Sequence, residues 1–322
     1  MGSDVEIIRN RPGEQARKEG IRSIVTIGNF DGLHLGHQAL IRYCRSVAHV
    51  NDLVAVVTFE PLPQALLQPA AAPARLSTIY QKLDALRREN IDLVWLLRFD
   101  TALSRLSACD FAQQVIAHGL AARHVVVGAD FHFGHRREGD VSMLRTLGHR
   151  FGFEVNIVPP VYLGEARVSS SAIRQALAVG EFARAATMLG RPFRMEGHVV
   201  LGRQLGRTLG YATANLRIRA RPCPVQGIFA VFLRVNGKQE RGDWRPAVAS
   251  LGWRPTVGGQ EPLLEAHLFD FDGELYGQRL EVQFVAKLRE EAHFGSLQEL
   301  VAQMRCDEAA ARTVLAQSER PA

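Results

Sequence analysis

Two histidines three residues apart, His34 and His37, lie in the stretch IVTIGNFDGLHLGHQAL from Ile24 to Leu40, and their types and spacing suit phosphate chemistry. An imidazole N–H can donate to a phosphate oxygen where negative charge builds in a transition state, and no covalent bond is needed. The surroundings fit that use. A β-branched apolar run (Ile24, Val25, Ile27) ends at Gly28, a tight turn follows with Gly32, and a helical pattern continues through Gln38 to Ile41. A strand-turn-helix junction of this kind gathers free backbone N–H groups and the positive end of a helix dipole, so an anion settles there with little rearrangement. Zinc is the rival use of paired histidines. The chain has no H-E-x-x-H or C-x-x-C, and two histidines at this spacing do not close a metal site.

Further stretches also place chemistry-bearing residues together. VVVGADFHFGHRREGD, from Val125 to Asp140, closes a strand pattern at Gly128 and then presents Asp130, Phe131 and Phe133 ahead of Arg136 and Arg137. By themselves, two such phenylalanines fit core packing more readily, and beside charges they also suit a flat heteroaromatic ligand such as a flavin or adenine. ARVSSSAIRQAL, from Ala166 to Leu177, sets Ser169, Ser170 and Ser171 at the head of an amphipathic run, with Arg167 and Arg174 nearby. Serines there cap a helix, and hydroxyls with guanidinium groups at a helix start also clamp phosphate. GHVVLGRQLGRTLGYATANL, from Gly197 to Leu216, strings Gly202, Gly206, Arg203 and Arg207 ahead of Thr213 and Asn215. Phosphoryl transfer without a Walker loop needs a phosphate cradle, metal ligands and a base. The glycine loop offers the cradle, and Thr213 and Asn215 offer oxygen ligands to a hard ion such as Mg2+. For the base, Glu265 is a candidate, a carboxylate on an otherwise apolar strand pattern that faces away from Leu264 and Ala266 by alternation, a pattern a solvated strand face also gives.

The elements that must position these residues fall into two sets. From Ser23 to Val158, short apolar runs (Ile24 to Ile27, Leu53 to Phe59, Leu93 to Leu97, Val125 to Gly128, Phe153 to Val158) alternate with helical segments, among them Thr78 to Arg88 and Val141 to Arg150. This alternation predicts an α/β fold: a Rossmann-like parallel sheet with right-handed crossovers, binding ligands beyond the carboxyl ends of its strands. At Met188 to Arg194 the alternation stops, and Gly190 and Pro192 read as a linker between domains 1–188 and 189–322. Six strand patterns follow: Gly197 to Leu201, Thr213 to Ile218, Ile228 to Val235, Ala247 to Ser250, Leu264 to Phe269 and Leu280 to Ala286. With Asn236-Gly237 and Asp272-Gly273 as hairpin turns, they predict a small antiparallel β-barrel. A terminal helix is expected to open at Ser296 with a capping box to Glu299.

Composition narrows the function classes. The 322 residues, 47% hydrophobic and 22% charged, suffice for two cores of an ordinary globular protein. No apolar run nears the ~20 residues that span a bilayer, and the N-terminus lacks a signal peptide's apolar core, so no membrane partner and a cytoplasmic location are expected. Four scattered cysteines (Cys44, Cys109, Cys223, Cys306) read as reduced thiols. The formal charge of +6 admits an anionic partner. Its basic residues form no long block and no RRM or zinc-finger signature, which favours a small polyanion such as ATP over nucleic acid. No G-x-G-x-x-G or G-x-x-x-x-G-K-[ST] occurs, against a nicotinamide dehydrogenase or a P-loop ATPase.

Taken entire, G-x-F-D-x-x-H-x-G-H at 28–37 resembles the H-x-G-H signature of the nucleotidylyltransferase superfamily, in the form carried by bacterial bifunctional riboflavin kinase/FAD synthetases. Two further marks of that family are G-x-D-F-x-F-G-x-x-R-x-G at 128–139 and R-[IV]-S-S-[ST]-x-I-R at 167–174. The second half resembles its riboflavin kinase domain through the glycine loop with T-A-N-L, G-x-R-P-T at 252–256, L-E-x-H-L-x-D-F at 264–271, L-Y-G at 275–277 and L-R-x-E-x-x-F at 288–294. The whole chain is covered. The resemblance implies an enzyme that phosphorylates riboflavin to FMN in its C-terminal domain and adenylylates FMN to FAD, releasing pyrophosphate, in its N-terminal domain. Its ligands would be riboflavin, FMN, FAD and ATP, with Mg2+. By the same resemblance, His34 and His37 stabilise the triphosphate while another phosphate attacks the α-phosphorus, and Gly28, Asn29, Phe30, Asp31, Arg167, Ser169, Ser170, Ser171 and Arg174 bind that ATP. Asp130, Phe131, Phe133, Arg289 and Glu291 hold flavin; Gly202, Gly206 and Arg207 hold the kinase's ATP; Thr213 and Asn215 hold its metal; and Glu265 takes the proton from the ribityl hydroxyl.

Three positions depart from the family pattern. Leu62 stands where a histidine often follows T-F-[ED]-P, Ala212 where P-T-A-N has proline, and Ser250 where an asparagine usually precedes G-x-R-P-T. Loss of the proline costs about 0.5 to 1 kcal/mol through the unfolded chain and deletes no ligand, so slower kinase chemistry at most is expected.

Overall fold

A computed structural model describes residues 5–9, 12, 20–201, 213–218, 222–235, 242–256 and 259–321, with the backbone alone over 254–256 and 259–261. Two compact units emerge, Met1–Pro73 with Ser77–Ser170, and Ala74–Leu76 with Ser171–Ala322.

In the first unit the apolar runs become strands β1 (Glu6–Ile8), β2 (Ser23–Ile27), β3 (Leu53–Glu60), β4 (Leu93–Arg98), β5 (Ala122–Gly128) and β6 (Glu154–Val158), followed by the short hairpin β7 (Tyr162–Leu163) and β8 (Ala166–Arg167). The main sheet is parallel throughout, in the order β1-β4-β3-β2-β5-β6. Near-continuous β-branched runs are what a sheet covered on both faces requires. One face packs Val25, Ile27, Val57, Trp95 and Val127 against Phe111, Ile116 and Leu144; the other packs Ile24, Val54, Val56 and Val126 against Ile41, Leu83 and Leu86. From β2 the chain progresses one way through β3 and β4 and the other way to β5 and β6. The switch point therefore lies between β2 and β5, where such sheets bind ligands. Helix Ile79–Arg88 starts on the expected capping box of Thr78 and Gln81, and helix Val141–Phe151 stops at the left-handed Gly152.

The second unit closes β9 (Arg194–Val200), β10 (Thr213–Ile218), β11 (Gly227–Val235), β12 (Arg245–Thr256), β13 (Gly259–Leu268) and β14 (Arg279–Arg289) into a barrel of order β10-β13-β12-β11-β14-β9. Alternation decides its inside. Leu216, Val231, Ala249, Leu251, Leu264, Ala266, Val282 and Phe284 are buried, and their sequence neighbours point outward. The outer residues Ala230, Phe232 and Phe269 pack on Ala311 and Leu315 of the terminal helix Leu297–Ala316. Ser296 caps this helix by accepting the Glu299 N–H, but the Glu299 carboxylate accepts from Gly295 N rather than completing the expected box. Asp272-Gly273 also differs from expectation. The β13–β14 connection runs from 269 to 278 with left-handed backbone at Asp270 and Gly277, so the pair lies inside a longer loop instead of making a two-residue turn. Asn236-Gly237 lies outside the described residues.

Candidate active sites

β2 feeds the segment 28–34 directly into helix Leu35–Val47. The Gly28 N–H donates to the Val57 carbonyl at 3.1 Å, and the backbone then turns left-handed at Phe30 (φ 47°), Gly32 (81°) and Leu33 (43°). Two of those three are bulky side chains in a conformation that costs energy, a state that persists only where its surroundings impose it. Phe30 and Leu33 are both buried, which contributes to that constraint. The turn ends on His34, the N-cap, whose Nδ1 accepts the His37 backbone N–H at 3.3 Å. An accepting Nδ1 leaves Nε2 as the protonated nitrogen, a donor. The His34 and His37 rings stack with centroids 3.7 Å apart and planes 17° from parallel, and the Phe30 ring lies 5.0 Å from that of His37. A Cβ on Gly36 would sit 3.1 Å from two atoms of the His34 ring, so glycine leaves that ring its slot.

The flanking segments converge on the same helix start. Asp31 is a buried carboxylate that accepts from Ser77, and its carbonyl accepts the Ser170 hydroxyl at 3.0 Å. The Val168 carbonyl approaches Gly36, and Arg167 reaches Asp130 at the end of β5 with an ion pair of 2.7 Å. Gly28 to Asp31, His34, His37, Arg167, Ser170 and Asp130 are thus linked by contacts. Ser169 is half-buried, Ser171 is exposed, and Arg174 donates to the Ala74 carbonyl. The Phe131 and Phe133 rings stack at 5.5 Å; Phe133 is buried against Phe111, and Phe131 is half-buried above it. Leu62, the departure noted above, is buried.

Partial burial pushes the Asp130 carboxyl up, but the hydrogen bond and charge of Arg167 outweigh it and hold the group below its ordinary value. The folded chain therefore favours the carboxylate, and the contact's stabilisation is present at neutral pH and lost as pH falls through the lowered value. An NMR titration of the Asp130 carboxyl carbon is expected to give a midpoint below the ordinary aspartate range, and Arg167→Gln should move it back up. A midpoint unmoved by that substitution would contradict the assignment.

In the barrel, register brings together what the sequence separates. Asn215 on β10 lies directly opposite Glu265 on β13, which lies opposite Ser250 on β12; Thr213 lies opposite His267. Leu264 and Ala266 are fully buried inside, so Thr213, Asn215, Glu265 and Ser250 share the outer face, with neighbouring Cβ atoms about 5 Å apart. Gly252 continues this face. A Cβ there would fall within 1.9 Å of Glu291 Oε1, and Gln226 donates to the other oxygen at 2.9 Å, so glycine at this position gives the Glu291 carboxylate its place. Arg289, at the end of β14, is engaged by Asp307 of the terminal helix through two bonds of 2.8 and 2.6 Å. Gly202, Gly206, Arg207 and Ala212 lie outside the described residues.

Two oxygen donors beside a carboxylate form a hard-ion environment. Among the described residues no cluster of three His, Cys, Asp or Glu is placed to hold a metal. A divalent ion that arrives with a nucleotide, taking its remaining ligands from phosphate and water, fits this donor set.

A doubly covered parallel sheet with imidazoles at its switch point, followed by a closed barrel with an outward carboxylate, suits the transfer of phosphate-bearing groups. Comparison with known proteins is specific on both parts. A family model described as FAD synthetase matches residues 16–172, and one described as riboflavin kinase matches 189–315. The chain is 43% identical over 304 residues to a bifunctional riboflavin kinase/FMN adenylyltransferase of Pseudomonas fluorescens, covering 94% of this chain and 96% of that one. It is 41% identical over 299 residues to the protein of that name from Escherichia coli K12, covering 92% and 94%. A solved structure from Streptococcus pneumoniae, described as a macrolide-efflux protein, is 30% identical with a TM-score of 0.79 over 96% of this chain and 99% of its own. The chain belongs to the bifunctional riboflavin kinase/FMN adenylyltransferase family, with its adenylyltransferase part first and its kinase part second. Among the described residues no helix is long and apolar enough to cross a membrane.

Proposed function

We propose that this chain makes FMN from riboflavin and ATP over residues 189–322 and FAD from FMN and ATP over 1–188. In the second reaction the FMN phosphate attacks the α-phosphorus of ATP and pyrophosphate leaves. His34, through Nε2, and His37 offset the charge that gathers on the phosphates, and the loop 28–31 with Ser169, Ser170, Ser171, Arg167 and Arg174 holds the nucleotide. Asp130, Phe131 and Phe133 form the flavin side of that site. In the first reaction Glu265 takes the proton from the ribityl 5′-hydroxyl as that oxygen attacks the γ-phosphorus and ADP leaves. Thr213 and Asn215 hold Mg2+, which when bound screens the phosphate charge. Gly202, Gly206 and Arg207 cradle the nucleotide, and Arg289 and Glu291 border the flavin.

What supports this reading above all is the register that sets Asn215 beside Glu265, since metal ligand and base must meet at one hydroxyl. The four cysteines are free thiols, the state a reducing compartment maintains, and the site of action proposed is the cytoplasm. Incubating the chain with riboflavin, ATP and Mg2+ and separating the flavins over time is expected to show FMN rising first and FAD following it. A chain that only binds flavin would yield neither, and that result would overturn the proposal.

A further inference from the structure

We infer that Ser77 and Lys82 are positioning residues for adenylyl transfer, holding the 28–34 turn in the conformation that presents His34 and His37. The inference rests on the role proposed above for those histidines. Ser77 is 5% exposed, and both its N–H and its hydroxyl donate to Asp31 Oδ1, at 3.1 and 3.2 Å. Its oxygen also accepts the Gly32 N–H at 3.3 Å, so one residue grips the turn at two successive positions. Lys82 lies on the helix that begins two residues after Ser77 and is 1% exposed. Its ammonium donates to Thr58 Oγ1 and the Phe59 carbonyl, each at 3.4 Å, and Thr58 Oγ1 in turn donates to the Asn29 carbonyl at 3.1 Å.

Ser77 and the helix that follows it thus hold the turn at Asn29, Asp31 and Gly32, the residues that interleave with left-handed Phe30 and Leu33. A turn with strained non-glycine residues relaxes when its external bonds are cut, and the N-cap geometry of His34 follows directly from the turn. A methionine would fill the same buried position, so what the lysine adds is its bonds to Thr58 Oγ1 and the Phe59 carbonyl.

A residue that merely stabilised the fold would change the amount of active enzyme; a positioning residue changes turnover. Both activities of the full chain are measured for Ser77→Ala, Ser77→Thr, Lys82→Met and, as a reference, His37→Ala. Ser77→Ala and Lys82→Met are each expected to lower kcat for FAD formation about 10- to 100-fold with KM for ATP changed less than about threefold, the scale on which small misplacements reduce turnover. Ser77→Thr, which keeps the hydroxyl, should restore kcat to within about threefold of wild type, and FMN formation should be unchanged throughout. Wild-type kcat in Ser77→Ala or in Lys82→Met, or a Ser77→Thr variant as slow as Ser77→Ala, would overturn the inference. If His37→Ala itself retained FAD synthesis, the assignment of the site would fail instead.

Discussion

Replacing His34 and His37 together by alanine is expected to abolish FAD formation from FMN and ATP while FMN formation from riboflavin continues at its wild-type rate. Each donor aimed at developing phosphate charge is worth about 10²- to 10³-fold in kcat, so loss of the pair takes the reaction below detection. The substitutions also carry structural costs. His34 is the N-cap, and its loss costs the helix about 1 kcal/mol, small against a unit with a doubly covered core. His34→Asn isolates the chemistry, since asparagine accepts the same backbone N–H but offers no imidazole; it is expected to fold as well as the wild type and to remain inactive in FAD synthesis. Chromatographic separation of flavin products reads both activities from one sample. Loss of both activities in the double variant would contradict a two-site enzyme.

The parallel sheet was legible because its strands are apolar on both faces, and five of its six runs are marked by the sequence alone. The edge strand Glu6–Ile8 was not. It is three residues long and exists by pairing with Leu93–Trp95, a contact no local pattern encodes. In the barrel all six strands were marked, but β12 and β13 extend well beyond the apolar runs Ala247 to Ser250 and Leu264 to Phe269. The extensions carry Arg254-Pro255-Thr256 and Gln260-Glu261-Pro262, polar and proline-bearing segments that pair with one another and that no apolar run marks in the sequence. Closure through β9 and β14 is likewise a fact of pairing.

The sites divide in the same way. His34, Gly36 and His37 are within one turn of chain, and their motif carries its own geometry. Asn215 and Glu265 are fifty positions apart, and only the β10–β13 register makes them neighbours. Arg289 was marked by the L-R-x-E-x-x-F pattern, but its partner Asp307 sits on the terminal helix with no sequence cue linking the two. Phe133 shows the limit of composition: an aromatic pair reads as a ligand platform, and one member of it is also core. Ser77 and Lys82 were missed, though Lys82 left a trace. In the run Ile79, Lys82, Leu83, Leu86 it occupies a position where helical periodicity asks for an apolar residue, and its full burial is the consequence.

Glu265→Gln is expected to abolish FMN formation and leave the adenylylation of added FMN intact. Glutamine preserves the size and one hydrogen-bonding oxygen of the side chain but cannot accept the hydroxyl proton, a loss worth about 10²- to 10⁴-fold. Because Glu265 points outward between Asn215 and Ser250 while Leu264 and Ala266 fill the interior, the exchange leaves the barrel core untouched, and the thermal midpoint should remain close to wild type. Asn215→Ala should slow the same reaction by a different route. Removing a metal ligand raises the Mg2+ concentration needed for half-maximal rate, whereas Glu265→Gln lowers the plateau at saturating Mg2+ and leaves that concentration unchanged. Metal titrations of the two variants therefore separate base from ligand on adjacent strands, and a Glu265→Gln enzyme with wild-type plateau would remove the carboxylate from the chemistry.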